Sequence, residues 1–400
     1  MKNKLLKLVK IIVIVHIVVM FLRFLSLLYK SLSCKVNSAD KMFKQNKWNN
    51  NYMFGLLVYK KKDKNKFLEY IKTVKKRFNL WENKIYWYQK YKIKGIIEVN
   101  YKDEVTDVIN YMNNSKPPTV NGRLLPYKII FLYKSQKIML LLNHFYCDGK
   151  ILYEIVTTNF LNSKSEIKFI NYHYLPFYYE YLLLKYVTKF AKNSIKKNTQ
   201  GLTLSKNQSS IYRKIIYYNG NINRWIALAI NFNLIFKYVK LNSLKIAFTV
   251  GFEDNIEYCN NRIGVIIVDV PRLNSIEEYQ EFIKKKLIGN KYDALASYDL
   301  IRNFPLDKLR GNFDTNIDIV LTSFKLNGED KDIKDCNIND IDYNLGSFIG
   351  IGRIPIYIFS MTLDYEKKIK ICIKSTTPDF DILKFSKNEK DIEHIYTWNN

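Results

Sequence analysis

Residues 138–149 read Ile-Met-Leu-Leu-Leu-Asn-His-Phe-Tyr-Cys-Asp-Gly, and this stretch is the most informative in the chain. Its apolar first part predicts a strand. The run delivers His144, one of four histidines in 400 residues, to the end of that strand. Asp148 and Gly149 follow within one short loop. The carboxylate of Asp148 can hold this loop in place, and Gly149 can adopt backbone angles that a residue with a Cβ cannot. Such a histidine predicts general-base chemistry, because the imidazole needs a fixed tautomer and an open side.

The segments around this stretch mix strands with helices, so the sequence predicts an α/β chain with mixed sheets and no repeat of fixed period. Residues 127–133 and 137–143 predict a hairpin with its turn at 134–136. Asp63 is expected to cap a helix, Ser275 and Glu278 form a capping box, and Asp379 is expected to begin a terminal helix. Helices are also predicted near 105–112, 151–160, 176–191 and 223–238, with strands at 53–59, 245–250, 263–270 and 317–322, a hairpin of 354–363 with 367–376, and a polar linker at 192–210. In the second strand of that hairpin, isoleucines alternate with Lys370, Cys372 and Lys374, which predicts one buried and one wet face.

The charge and the cysteines exclude several classes of protein. The net charge is +27, from 64 Lys and Arg against 37 Asp and Glu. The lysines are spread along the chain and mixed with acids, so we expect no nucleic-acid partner despite the excess. The five cysteines are odd in number and lack metal-binding spacing, which predicts free thiols and no metal site.

The N-terminus is strongly apolar over residues 5–29, with four lysines among the first ten residues. Its uninterrupted part is shorter than the roughly 20 residues that span a bilayer, although Arg23 and the ends can snorkel. Three interpretations remain open: a spanning anchor, an in-plane helix and a cleaved signal peptide. We expect residues 1–33 to be a retained membrane anchor and the catalytic body to be cytosolic.

The segment Asn143-His-Phe-Tyr-Cys-Asp-Gly149 resembles the HHxxxDG signature of coenzyme-A-dependent acyltransferases. That superfamily includes chloramphenicol acetyltransferase, nonribosomal peptide condensation domains and the wax ester synthase/diacylglycerol acyltransferases. His144 matches the catalytic histidine, and Asp148 and Gly149 match the Asp-Gly pair. Asn143 replaces the first histidine of the signature.

A second segment, residues 260–271, resembles the Asn-Arg-x-Gly, apolar strand, Pro pattern of the wax ester synthase branch. Thr322-Ser323 stands where that branch has Ser-Asn after a strand, but Phe324 replaces the Asn. Ser323 is our choice, among the hydroxyl residues of the second-half strands, for stabilising an oxyanion. Beside Gly149, the resemblance implies four substrate-binding positions: Asn261, Arg262, Gly264 and Ser323.

The resemblance implies two chloramphenicol-acetyltransferase-like halves, 45–195 and 205–395, around a central tunnel in which acyl-CoA and the acceptor meet at His144. Asp148 would hold its loop through a salt bridge to Arg77 or Arg262. The implied activity is transfer of an acyl group to an alcohol or glycerolipid hydroxyl. Acyl-CoA is then a co-substrate, and no bound cofactor is expected.

Two alternatives stay open from the sequence. A condensation-like enzyme or N-acyltransferase would use an amine acceptor with the same histidine. A catalytically inactive relative would serve as a membrane-bound binding or scaffold protein. Neither the oligomeric state nor the length of the acyl chain follows from the sequence.

Overall fold

The computed structural model describes residues 2–33, 51–59, 62–89, 95–101, 119–120, 123–125, 127–143, 188, 201–203, 208–217, 223–251, 263–290, 292–294, 296–297, 317–326, 336–345, 355–363, 368–375, 377–381, 384 and 392–399. Two mixed sheets organise these residues. The predicted α/β class with mixed sheets is therefore confirmed.

The first sheet has five strands in the order β11-β1-β6-β5-β2. Its members are β1 (Asn51–Tyr59), β2 (Ile96–Asn100), β5 (Tyr127–Leu132), β6 (Lys137–Asn143) and β11 (Cys336–Leu345). The predicted hairpin of β5 and β6 is present, and its turn places Gln136 at a φ of 52°. β6 is central, which explains its unbroken apolar run: Ile138, Met139, Leu140 and Leu141 are all buried, so both of its faces are covered.

The helix α2 (Lys64–Gln89) contributes to the core of this sheet. As predicted, Asp63 caps it, because its Oδ1 accepts hydrogen bonds from the N–H groups of Asn65 and Lys66 at 2.9 and 3.2 Å. The ring of Phe67 lies 5.2 Å from that of Tyr59 on β1. The start of α2 is therefore fixed both by its cap and by aromatic packing.

The second sheet has seven strands in the order β14-β7-β13-β12-β10-β8-β9. β8, β10 and β12 are parallel neighbours, and the other pairings are antiparallel. The strands are β7 (Gln208–Tyr217), β8 (Ser243–Gly251), β9 (Ile263–Pro271), β10 (Ile319–Leu326), β12 (Ile356–Leu363), β13 (Lys368–Ser375) and β14 (Ile392–Asn399). A short pair, β3 (Thr119–Val120) with β4 (Arg123–Leu124), stands apart.

Two helices, α3 (Arg224–Phe236) and α4 (Ile276–Gly289), cover one face of the second sheet. Asn223 caps α3 and Ser275 caps α4 through its Oγ, so the capping prediction at Ser275 is confirmed. The ring of Phe232 on α3 packs 5.7 Å from that of Phe248 on β8. A hydrophobic core of the described residues therefore lies between this sheet face and the two helices.

Three predictions for the second sheet are wrong in part. Lys370, Cys372 and Lys374 were expected on a wet face of β13, but all three are buried, as are Ile369, Ile371 and Ile373 on the other face. The predicted linker ends early, since β7 begins at Gln208. Beyond Asp379, where only a terminal helix was predicted, residues 392–399 form β14, which pairs with β7.

The N-terminal helix α1 (Lys2–Ser33) covers the residues for which the sequence predicts a membrane anchor. No helix among the described residues is long and apolar enough to cross a membrane, so a spanning anchor finds no support there. The helices predicted near 105–112 and 151–160 lie outside the described residues, as does all but Thr188 of the one at 176–191.

Candidate functional site

The last residue of β6, Asn143, marks the place from which the chain leads to His144. Asn143 pairs with Tyr52 on β1, and Tyr52 pairs with Asn344 on β11. Neighbouring strands lie about 5 Å apart, so these three positions form one row roughly 10 Å wide at the end of the sheet. His144, Asp148 and Gly149 lie outside the described residues, and their roles stay predictions.

Asn143 occupies the position at which the acyltransferase signature has its first histidine. Its side chain is buried, and its Nδ2 donates a hydrogen bond of 3.5 Å to the carbonyl oxygen of Leu125. An amide in this place satisfies a backbone carbonyl and fixes the end of the strand. We conclude that Asn143 has a structural role, holding the strand end that precedes His144.

The row also contains two positions that the sequence reasoning missed. Tyr52 and Asn344 sit beside Asn143 only because β11, from the second half of the chain, completes the first sheet. Nearly three hundred residues separate Tyr52 from Asn344, and no local pattern connects them. Knowledge of the strand pairing was the one signal that would have found them.

The second-half positions lie toward one end of the seven-stranded sheet. Gly264 is buried on β9 and pairs with Val250 on β8. The chain between Gly251 and Ile263 contains Asn261 and Arg262, which are outside the described residues. These predicted ligand-binding residues therefore follow the carboxyl end of β8, the kind of place where α/β sheets bind ligands.

Ser323 on β10 is half-buried and pairs with Ser360 on β12. Ser360 is fully buried and accepts a 3.1 Å hydrogen bond from the Nδ2 of Asn231 on α3. Because paired residues of neighbouring strands point to the same side, Ser323 belongs to the face that α3 covers. Its predicted role in substrate binding stays a prediction.

The polar cluster between α3 and β12 has unused hydrogen-bonding capacity. Among the described residues, the buried Oδ1 of Asn231 and the buried Oγ1 of Thr362 have no hydrogen-bond partner. On the opposite face of the same sheet, Thr249, Thr322 and Tyr357 form a connected hydroxyl network.

The structure does not test the predicted salt bridge between Asp148 and Arg77 or Arg262. Arg77 lies within α2, while Arg262 is outside the described residues. Within the described part of the chain, no group of His, Cys, Asp and Glu side chains is arranged to hold a metal ion. Cys372, a buried thiol without a disulfide, agrees with the prediction of free cysteines at that position.

Comparison with known proteins gives a fold but no close relative. No family model matches the chain, and no curated protein matches its sequence. Among solved structures, the condensation domain from the Monacolin K polyketide synthase MokA is similar with a TM-score of 0.53 at 10% identity, covering 86% of this chain and 91% of that one. The epimerization domain from the third module of tyrocidine synthetase B gives a TM-score of 0.52 at 11% identity, covering 88% and 94%.

A third similar structure is a mutant of the starter condensation domain of rhizomide synthetase in complex with C8-CoA. It gives a TM-score of 0.52 at 6% identity and covers 84% of this chain and 86% of that one. At such identities the likeness establishes the fold alone. The chain has a condensation-domain-like fold, in agreement with the fold that the HHxxxDG resemblance implies, and membership of the acyltransferase superfamily and of its wax ester synthase branch stays a proposal.

Proposed function

We propose that this chain is an acyltransferase that moves an acyl group from acyl-CoA to the hydroxyl of an alcohol or glycerolipid. The observation that carries the proposal is the position of the HxxxDG segment. It begins directly after Asn143, the buried end of the central strand of a condensation-domain-like fold. One protein with this fold has been solved with C8-CoA bound, which supports acyl-CoA as the donor.

In the proposed reaction, the imidazole of His144 removes the proton from the acceptor hydroxyl while the oxygen attacks the thioester carbonyl. The carbonyl oxygen becomes an oxyanion in the tetrahedral intermediate and needs a hydrogen-bond donor. When the intermediate collapses, the carbon–sulfur bond breaks and the CoA thiolate takes the proton from the imidazolium. The products are an ester and CoA, and no covalent enzyme intermediate forms. Asp148 and Gly149 shape the loop that holds His144.

The test uses the full chain with palmitoyl-CoA and hexadecanol or a diacylglycerol, with free CoA measured by a thiol reagent. Wild type should release CoA in step with ester formation. His144→Ala should lower the rate about 100- to 10,000-fold, the range for loss of a general base. His16→Ala, which removes a histidine from α1, is the matched control and should retain activity. Equal rates in wild type and His144→Ala would reject the proposal.

A second candidate is transfer to an amine. It is favoured because the similar structures are condensation domains, one of them solved as a mutant with both C8-CoA and Leu-SNAC. The same assay with leucine or its thioester in place of the alcohol separates the two. Amide formation without ester formation would select the amine acceptor. Binding of acyl-CoA with no turnover on either acceptor would select the inactive binding protein.

We also propose that α1 contacts a lipid surface. Twelve of its apolar side chains between Leu5 and Phe21 are 39–65% exposed, and Lys4, Lys7 and Lys10 are exposed beside them. Exposed apolar area of this extent favours contact with lipid, and each lysine adds about 1 kcal/mol near anionic headgroups. The full chain should sediment with phosphatidylserine vesicles more than with phosphatidylcholine vesicles.

The variant Ile12→Asp should weaken this vesicle binding, because it places a charge on the apolar surface of α1. Ile288→Asp is the control, since Ile288 is similarly exposed (55%) but lies on α4. Equal binding by both variants would contradict a lipid-binding α1.

A further inference from the structure

Three hydroxyl groups meet on the face of the second sheet that α3 and α4 do not cover. They belong to Thr249 on β8, Thr322 on β10 and Tyr357 on β12. The Thr249 and Tyr357 oxygens lie 2.8 and 2.9 Å from the Oγ1 of Thr322. The three strands are adjacent and parallel, so the backbone of the sheet fixes the spacing of these groups.

Within this network, the hydroxyl of Thr322 accepts two hydrogen bonds and keeps its own proton to donate. A threonine hydroxyl has two acceptor positions and one proton. Tyr357 donates to Thr322. Thr249 also donates to it, since its 2.8 Å contact is much shorter than its 3.4 Å contact with the carbonyl oxygen of Leu321. Both lone pairs of Thr322 are then occupied, and among the described residues no acceptor takes its proton.

The side chain of Thr322 is partly exposed, whereas that of Tyr357, which supports it, is buried. Thr249 and Thr322 are only partly buried, but the Tyr357 side chain is 7% exposed and packed in the sheet. Two donors to one hydroxyl polarise its O–H bond and make it a stronger donor. Such a prearranged donor suits an oxygen on which negative charge develops.

The location of the network agrees with a ligand site. Thr249 lies two residues before Gly251, the end of β8 from which the chain leads to Asn261 and Arg262. Ser323, the next residue after Thr322, points to the opposite, helix-covered face. Gly264, the described glycine of the predicted Asn-Arg-x-Gly segment, pairs with Val250 next to Thr249, so it lies at the same end of the sheet as the hydroxyl network, where ligands of α/β proteins bind.

We infer that Thr322 donates a hydrogen bond to the carbonyl oxygen of the acyl thioester, with Thr249 and Tyr357 as its positioning residues. This assignment rests on the proposed acyl transfer and names a group for its oxyanion step. As the acceptor oxygen adds to the carbonyl carbon, the carbonyl π bond opens onto its oxygen. The Thr322 proton stays on the hydroxyl and only strengthens its hydrogen bond. The bond weakens again when the thiolate leaves.

The decisive comparison is Thr322→Val against Thr362→Val in the CoA-release assay with the full chain. Thr322→Val keeps the shape but removes the donor, so kcat and kcat/KM should both fall about 100-fold. Thr362→Val makes the same exchange at a buried threonine on the helix-covered face of β12 and should change kcat less than threefold. Thr322→Ser keeps the donor and should restore most of the rate, which a purely structural role for the side chain would not require.

Tyr357→Phe removes one of the two donors to Thr322 and should lower kcat several-fold with little change in KM for acyl-CoA. It also keeps the inference open to refutation if Thr322→Val does not fold. Full activity of Thr322→Val, or losses equal to those in Thr362→Val, would overturn the assignment while leaving His144 as the base. A wild-type protein that releases no CoA would instead reject the proposed acyl transfer, and this assignment with it.

Discussion

Asp318, directly before β10, joins two segments that are far apart in the chain. Its Oδ1 accepts a 2.9 Å hydrogen bond from the N–H of Leu202, and its Oδ2 accepts a 2.7 Å bond from the N–H of Lys245. Asp318 is 4% exposed and Leu202 is part of the core. The carboxyl therefore ties the residues that precede β7 to the start of β8. We predict that Asp318→Ala loosens both segments.

The loss of stability follows from the backbone N–H groups of Leu202 and Lys245, which would lose their acceptor. A buried N–H without an acceptor costs about 1–3 kcal/mol, so Asp318→Ala should destabilise the fold by about 2–6 kcal/mol. Asp318→Asn keeps one acceptor oxygen and should cost about half as much. Burial raises the pKa of Asp318, and the two backbone N–H groups only partly offset this. Its stabilising contribution is therefore complete below the ordinary pKa of 3.8 and declines as the pH rises through the raised value.

The assay combines urea unfolding with amide hydrogen exchange. Asp318→Ala should lower the urea midpoint and speed exchange at Leu202 and Lys245. Asp269→Ala is the control, because it removes an exposed neighbouring carboxylate and should stay within about 0.5 kcal/mol of wild type. If Asp318→Ala matched this control in midpoint and left both amides protected, the reasoning about unpaired donors would be refuted.

Three other predictions concern single side chains. Gly95→Ala should destabilise by about 1–3 kcal/mol, because its Cβ would lie 2.4 Å from the buried ring of Tyr127; an unchanged urea midpoint would contradict this. Gly289→Ala in α4 meets nothing within 4 Å and should stabilise by about 0.5–1 kcal/mol, so a lower midpoint would be evidence against free space there. Burial alone would raise the pKa of Asp379, but hydrogen bonds from Thr203 outweigh it and lower that pKa. The advantage of wild type over Asp379→Asn should therefore hold at neutral pH and shrink as the pH falls below about 4, and the opposite trend would show the pKa direction to be wrong.

The candidate site was only partly predictable from sequence. Local chemistry is strong in residues 138–149, where an apolar run and a short polar loop follow each other, and β6 forms as expected. Among the hydroxyl residues of β10, the sequence prediction chose Ser323, whereas the hydroxyl network lies on the face of Thr322. The correct face depends on which side α3 packs, since adjacent residues of a strand point in opposite directions.

Sequence patterns gave wrong predictions where segments distant in the chain bury a residue or pair with it. Lysines alternating with isoleucines on β13 indicated one wet face, yet Lys370 and Lys374 are buried. The sequence of β14 is rich in β-branched and aromatic residues, which suit a strand, but only its pairing with β7 shows where that strand lies. In both places the neighbours decide the environment, and no window of local sequence contains them.

The sequence by itself determined the mixed α/β class, the caps at Asp63 and Ser275, and the strand that leads to His144. These depend on interactions within a few residues, which periodicity and capping chemistry report directly. Only the tertiary structure decided that β11 completes the first sheet and brings Asn344 into the row of Asn143, and that Thr249 and Tyr357 converge on Thr322. Strand order and sheet faces arise from pairing and packing between segments up to hundreds of residues apart, and that information is not local.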